Sequence, residues 1–230
     1  MFPLRDDQPS RTLPLVTYAL IVFNAAVFVH QLSLGERETT ALLEHAALLP
    51  GRLSEVVRDG SPAELFESAS TLVTSQFLHG GFLHVLLNLW TLWIFGDNVE
   101  DRLGRLKFLV FYVACGAAAG LLHVASNPDS LVPTLGASGA ISGVMGAYVV
   151  LYPRARVVTL VPVLFYPLFF SLPALVYVGL WFVLQLFSGL VDSGADGGVA
   201  WWAHIGGFLA GIALLPLLRR GKRQTERRRD

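Results

Sequence analysis

Four residues of this 230-residue chain could together do nucleophilic chemistry: Ser138, His204, Asn88 and His84. Each falls in a run apolar enough to lie in a bilayer, where a polar group is costly and needs a reason to be there. A serine hydroxyl is a weak nucleophile until a base takes its proton, and a neutral imidazole does this near pH 7. Ser138 would stand in the first turn of its helix, where free N–H groups and the positive dipole end suit a developing oxyanion. The Asn88 amide can donate to that oxyanion, and His84 could add a second donor. No Asp or Glu lies near this level in the three segments concerned, so a Ser–His dyad remains and a third member is missing. Residue 140 is Ala, so this is not the G-x-S-x-G elbow of soluble hydrolases. Ser142, one turn deeper on the same face, is the alternative nucleophile, but it gives up the helix N-terminus.

Other chemistries fit less well. No H-E-x-x-H is present, and His79 and His84 are five apart, a poor spacing for metal binding from one helix face. No metal and no cofactor is expected. No Asp lies deep in an apolar run, which argues against a pair of catalytic aspartates. The polar cluster stays in one half of the apolar thickness, whereas a transporter needs polar groups across it or ions at its midplane. His30, His45 and His123 are read as bland residues near span ends or in a loop, and His79 as an interfacial residue at a loop entry. Cys115 is the single cysteine, so no internal disulfide exists, and its apolar surroundings suit an inert buried thiol. Net charge is zero, so there is no bulk electrostatic case for nucleic acid as a partner.

The elements that must position these residues are membrane spans. The chain is 53% hydrophobic and 15% charged, with mean hydropathy +0.56, against about a quarter charged in soluble domains. Leu13 to Leu34 has the ~20-residue length of a span, longer than a cleaved leader's apolar core, and is read as a retained first helix. Six spans are expected, at 14–34, 81–96, 106–125, 137–153, 173–190 and 200–218. A long mixed-charge loop is expected over 35–78. The proline-broken run 157–172 is read as interfacial or re-entrant. The expected fold is all-α: a polytopic membrane protein with a six-transmembrane-helix bundle over 13–218. Segment 1–12 and the basic tail 219–230 would flank it in the cytoplasm. With both termini inside, the inner segments hold 14 of the 17 Lys and Arg, as positive-inside insertion of bacterial type requires. The expected location is an inner cell membrane, and membrane lipids are expected partners, the tail lying on anionic headgroups. This topology runs spans 2, 4 and 6 in one direction and puts His84, Asn88, Ser138 and His204 near their starts, at one depth in the outer half.

Small residues would let the helices approach. Gly139, Gly143 and Ala147 recur every fourth residue in span 4, and Gly207 and Gly211 do so in span 6. Gly136 is grouped with them as a packing glycine. Trp201 and Trp202 suit an interface belt, and Trp90, Trp93 and Trp181 are read as helix packing. Asp192, Gly194, Gly197 and Gly198, with span 5, are the expected movable gate.

HGGFLHVLLN at 79–88, GASG at 136–139 and AHIGGFLAG at 203–211 together resemble the signature segments of the rhomboid family of intramembrane serine proteases. The resemblance covers roughly 70–218 and matches the six-helix bacterial form. It implies Ser138 as nucleophile and His204 as base, with His84, Asn88 and the Ser138 N–H around the oxyanion. Transmembrane proteins cut near their outer ends would be the substrates. Glu100 and Arg102, in NVEDRLG, resemble a structural pair that anchors the long first loop. Two positions depart from the family pattern. Ser70-Thr71 stands where a Trp-Arg pair is frequent, and Ser142 stands where an aromatic residue stacks on the histidine, so His204 must be oriented by something else. A non-catalytic rhomboid-like binder of membrane clients is the competing class, and the presence of both Ser138 and His204 argues against it.

Overall fold

The computed structural model describes residues 2–163, 166–191 and 199–219. The expected gate residues Asp192, Gly194, Gly197 and Gly198 and the basic tail from 220 onward lie outside the described residues.

Strand β1 (Phe2–Asp6) leads into α1 (Leu15–Ser33). Three short helices follow, α2 (Glu36–Ala46), α3 (Pro50–Asp59) and α4 (Pro62–Thr74), closed by a 3₁₀ turn at Ser75–Phe77. Helices α5 (Phe82–Leu103), α6 (Arg105–Ser126) and α7 (Ser138–Leu151) come next. Strands β2 (Arg156–Val163) and β3 (Tyr166–Pro173) then precede α8 (Ala174–Val191) and α9 (Trp201–Leu218).

The six helices expected as spans are present, with ends within a few residues except at α5, which runs on to Leu103. By length and composition, however, only α1, α6, α8 and α9 could each cross a bilayer alone among the described residues. Helix α5 qualifies only jointly with α4 and the 3₁₀ turn, from which it is bent by 82°. Its last turns carry Asp97, Glu100, Asp101 and Arg102, which shortens its apolar length. Helix α7 has 14 residues, roughly 21 Å at 1.5 Å per residue, short of a ~30 Å hydrocarbon core. It is also the central helix. Every residue from Gly139 to Val149 is buried, and α5, α6 and α9 pack around it.

The segment 35–78 is not a loop. Ser61 and Glu64 form a reciprocal capping box, and Pro50 and Pro62 open α3 and α4 at positions where a missing N–H costs nothing. The segment is tied down by backbone bonds to the stretch before α7. Leu48 and Thr134 exchange N–H donors, and Gly51 N–H donates to Ser130 O. Thr71, in place of a large anchor, is buried and bonds only locally, to Ser68 O.

Nor is the chain all-α. Strands β2 and β3 pair antiparallel, and β1 pairs with β2 on its other side, giving the order β1-β2-β3. Val157, Val158, Thr159, Val161 and Val163 favour the pleated chain, while Pro162, Pro167 and Pro173 block a helix. The sheet closes the bundle end opposite the starts of α5, α7 and α9. There the Tyr148 hydroxyl donates to Asp6 Oδ2 at 2.5 Å and Asn98 Nδ2 donates to the same oxygen at 3.1 Å. Burial holds the Asp6 carboxyl above its ordinary range, with the Tyr148 bond working against that rise.

Glu100 and Arg102 do not act as a pair on the first loop. Glu100 is buried, and its two oxygens accept from Val16 N–H at 3.1 Å and from Thr17 N–H and Thr17 Oγ at 2.8 Å each. Helix α1 begins after Pro14, with no cap of its own, so Glu100 caps it from another helix. Arg102 lies over the Tyr152 ring, 5.5 Å from its centroid. Glu100→Ala is expected to lower stability by about 2–3 kcal/mol by orphaning these donors. Arg102→Ala should cost under about 1 kcal/mol. Thermal unfolding of both variants in detergent micelles checks the difference.

Candidate active site

Helices α7 and α9 touch backbone to backbone. A Cβ placed on Gly207 would stand 1.9 Å from Gly139 O, and one on Gly211 would stand 2.0 Å from Gly143 O. Helix α6 is also close: a Cβ on Gly139 would meet Ala119, and one on Gly143 would meet Cys115, which is buried and free. At each of these four glycines an added Cβ would meet a neighbouring helix. At this separation the first turns of the two helices bring His204 Nε2 to 2.8 Å from Ser138 Oγ. His204 is buried and Ser138 half-buried.

The other ring nitrogen, His204 Nδ1, lies 2.6 Å from Oε1 of Gln185 on α8. An amide oxygen can only accept, so Nδ1 carries the proton and the lone pair of Nε2 faces the serine hydroxyl. Trp181, one turn before Gln185, sets its ring 5.8 Å from the imidazole, tilted by 35°. Trp201 meets the same ring edge-on at 6.4 Å. Trp181 is therefore more than helix packing. Sequence reasoning missed Gln185, although the rule that singled out Ser138 applies to it: a lone polar residue in an apolar span needs a partner.

Gly136 is not a helix-packing glycine. It precedes α7 with φ +125°, a conformation that an L side chain resists, and a Cβ there would meet His84 Nε2 at 2.7 Å. Its N–H donates to Ser75 O at 2.9 Å, which pins this turn to the start of the 3₁₀ helix. His84 Nδ1 accepts from Gly80 N–H at 3.4 Å, which leaves Nε2 as the donor, beside Gly136 and the start of α7. Asn88, one turn further along α5, is buried, and its Nδ2 has no hydrogen-bond partner among the described residues. His84 and Asn88, one turn apart on α5, line the same cavity as Ser138.

Ser142 Oγ donates to Ser138 O at 2.6 Å, so its hydroxyl is spent on its own helix. His79 is buried, stacked edge-on against His84 at 5.2 Å, and its backbone is held by Gln31. His30 and His45 are exposed, and His123 is half-buried beside Asn127. Among the described residues, no group of three or more His, Cys, Asp or Glu is placed to hold a metal ion. The dyad opens into a cavity of about 1060 Å³ whose walls include His84, Asn88, Ser138, Trp181 and His204. Leu87, Met145 and Tyr177 are among its other lining residues.

Residues 67–221 match the rhomboid domain family. The chain is 32% identical over 145 residues to Rhomboid protease GluP of Bacillus subtilis, an alignment covering 62% of this chain and 25% of that protein. It is 30% identical over 149 residues to Presenilin-associated rhomboid-like protein A, mitochondrial, of Danio rerio, covering 61% and 35%. It is 27% identical over 154 residues to Rhomboid protein 1, mitochondrial, of Saccharomyces cerevisiae, covering 63% and 40%. The chain thus spans well under half the length of these relatives.

The packing distinguishes glycines that look alike in sequence. Gly207→Ala is expected to force α7 and α9 apart and to cost about 1–3 kcal/mol or more. Gly179→Ala, in α8, meets nothing within 4 Å and should be neutral or slightly stabilising. Thermal unfolding in micelles, run side by side, checks both.

Proposed function

We infer that this chain, which belongs to the rhomboid family, is an intramembrane serine endopeptidase acting through Ser138 and His204. Its substrates are membrane proteins, cut in or near their transmembrane segments. The observation that carries this reading is the 2.8 Å contact between His204 Nε2 and Ser138 Oγ, at the wall of a cavity that His84 and Asn88 also line. The naming of a relative as a rhomboid protease supports the class of reaction.

Ser138 Oγ attacks the substrate carbonyl carbon while His204 Nε2 takes the hydroxyl proton. The carbonyl oxygen becomes an oxyanion, held by the Asn88 amide, by His84 Nε2–H and by the Ser138 N–H at the start of α7. Asn88 Nδ2 supports its role by lacking a partner among the described residues: a buried donor without one is a standing cost that an arriving oxyanion relieves. The C–N bond then breaks, and the imidazolium returns its proton to the leaving amine. A water enters, gives a proton to Nε2 and adds its oxygen to the acyl carbon. Collapse releases the acid and restores the serine.

The cavity supplies the water this second half needs, inside a bundle whose outer surface is apolar. We place both termini in the cytoplasm of an inner cell membrane, with six helices counted as spans, because charge bias favours that orientation. The dyad then lies in the outer half. A substrate helix satisfies its own amides and must unwind locally before one can be attacked.

Cleavage of a fluorescently labelled single-span test protein in liposomes tests the reading. Ser138→Ala and His204→Ala should each abolish turnover with thermal stability intact. Ser142→Ala should retain it, and Asn88→Ala should lower kcat on the order of 100-fold. A fluorophosphonate should label Ser138 in the wild type and not in His204→Ala. Full turnover in Ser138→Ala would sink the assignment.

A further inference from the structure

A base that must accept a proton at Nε2 has to present the right tautomer and hold its ring at the right angle. In water-soluble triads a carboxylate does both. Here α5, α7 and α9 bring no carboxylate to this level, and the position one turn into α7, where a ring could brace the histidine, is Ser142 with its hydroxyl turned to Ser138 O. Both tasks are met from a fourth helix. On α8, Trp181 and Gln185 are one turn apart and so share a face, and that face lies on His204. Gln185 is buried, although its helix is otherwise mostly exposed apolar surface, with Leu175, Leu180, Val183 and Phe187 pointing away from the bundle. Its Oε1 lies 2.6 Å from Nδ1.

We propose that Gln185 is the positioning residue of the dyad: its amide oxygen accepts the Nδ1 proton of His204, selects the tautomer that leaves Nε2 basic, and fixes the ring against Trp181. This rests on the reading of Ser138 and His204 as nucleophile and base. The choice of residue follows from the surroundings. A carboxylate buried at this place in an apolar span would carry a large desolvation cost. A neutral amide supplies the same acceptor without the charge. It also ties the competence of the base to the place of α8, because no residue of α7 or α9 replaces the bond if α8 shifts.

The test uses the full chain in liposomes, the labelled single-span test protein and fluorophosphonate labelling of Ser138. Gln185→Leu and Gln185→Met fill similar space without an acceptor. Each is expected to lower kcat on the order of 100-fold, as a misplaced catalytic group does, with KM and thermal stability near wild type, and to slow labelling of Ser138 in parallel. Gln185→Glu keeps an acceptor oxygen in either protonation state and should recover most of that loss. Wild-type kcat in either apolar variant would overturn the proposal. So would a Gln185→Glu variant that is folded and as slow as Gln185→Met, because an acceptor oxygen in a side chain of the same shape would then not be what matters. A wild-type chain that neither cleaves nor takes the label would instead overturn the protease reading itself.

Discussion

The carbonyl oxygens of Gly139 and Gly143 occupy the space that side chains at 207 and 211 would need, and the rest of the site depends on that contact. Helices bearing ordinary side chains pack with axes roughly 8–10 Å apart. A hydroxyl and an imidazole in the first turns of two such helices would not reach each other. With glycines facing carbonyls, the axes close up and Ser138 and His204 meet directly. In lipid, burying apolar side chains gives little drive for association, so close backbone packing is also what holds the helices together. One stripe of small residues thus serves stability and chemistry at once.

The polar groups of the bundle sort by whether they are satisfied. Glu100 gives both oxygens to the bare start of α1. Asp6, Asn98 and Tyr148 bond one another where the sheet meets α5 and α7. Gln31 pairs both ends of its amide with the backbone of His79. These are scaffold: each removes a cost by joining two elements. Near the dyad the pattern changes. Asn88 Nδ2 is buried and unpaired among the described residues, and the His84 donor faces a cavity. Buried atoms elsewhere also lack a partner among the described residues, Asn24 Oδ1, Gln76 Oε1 and both His79 ring nitrogens among them, so what sets Asn88 and His84 apart is that they line the cavity of the dyad.

The two ends of the bundle divide the work accordingly. The end with the sheet is closed by β1 pairing to β2, so the first residues of the chain are part of the fold. The other end holds the starts of α5, α7 and α9, with the 3₁₀ turn and the stretch before α7 tied together through Ser75 O and Gly136 N–H. Gly136 has to be glycine there for two reasons. Its φ is positive, and the His84 ring fills the space beside it. The helices of 35–78 are bonded to the same stretch, at Leu48 with Thr134 and at Gly51 with Ser130, so they brace the approach to the nucleophile.

Hydropathy and residue type alone located the long helices, the serine, the two histidines and the asparagine, because the cost of a polar group in hydrocarbon acts at every residue and needs no partner to be read. The same rule left Gln185 in plain view, but a lone amide names no partner until α8 and α9 are laid side by side. The close packing of Gly207 and Gly211 was legible from four-residue spacing; that Gly136 belongs to a turn under His84 was not, since its φ and its neighbour are set by tertiary contact. The pairing of β2 with β3 was missed because an apolar run reads alike as strand or buried segment, and only β1, some 150 residues earlier, decides it by pairing. Glu100 was noticed as a structural residue and assigned the wrong partner, since a carboxylate's sequence position says nothing about which bare helix end folds against it. Periodicity and polarity are properties of a segment. Which polar groups end as partners is a property of the packed whole.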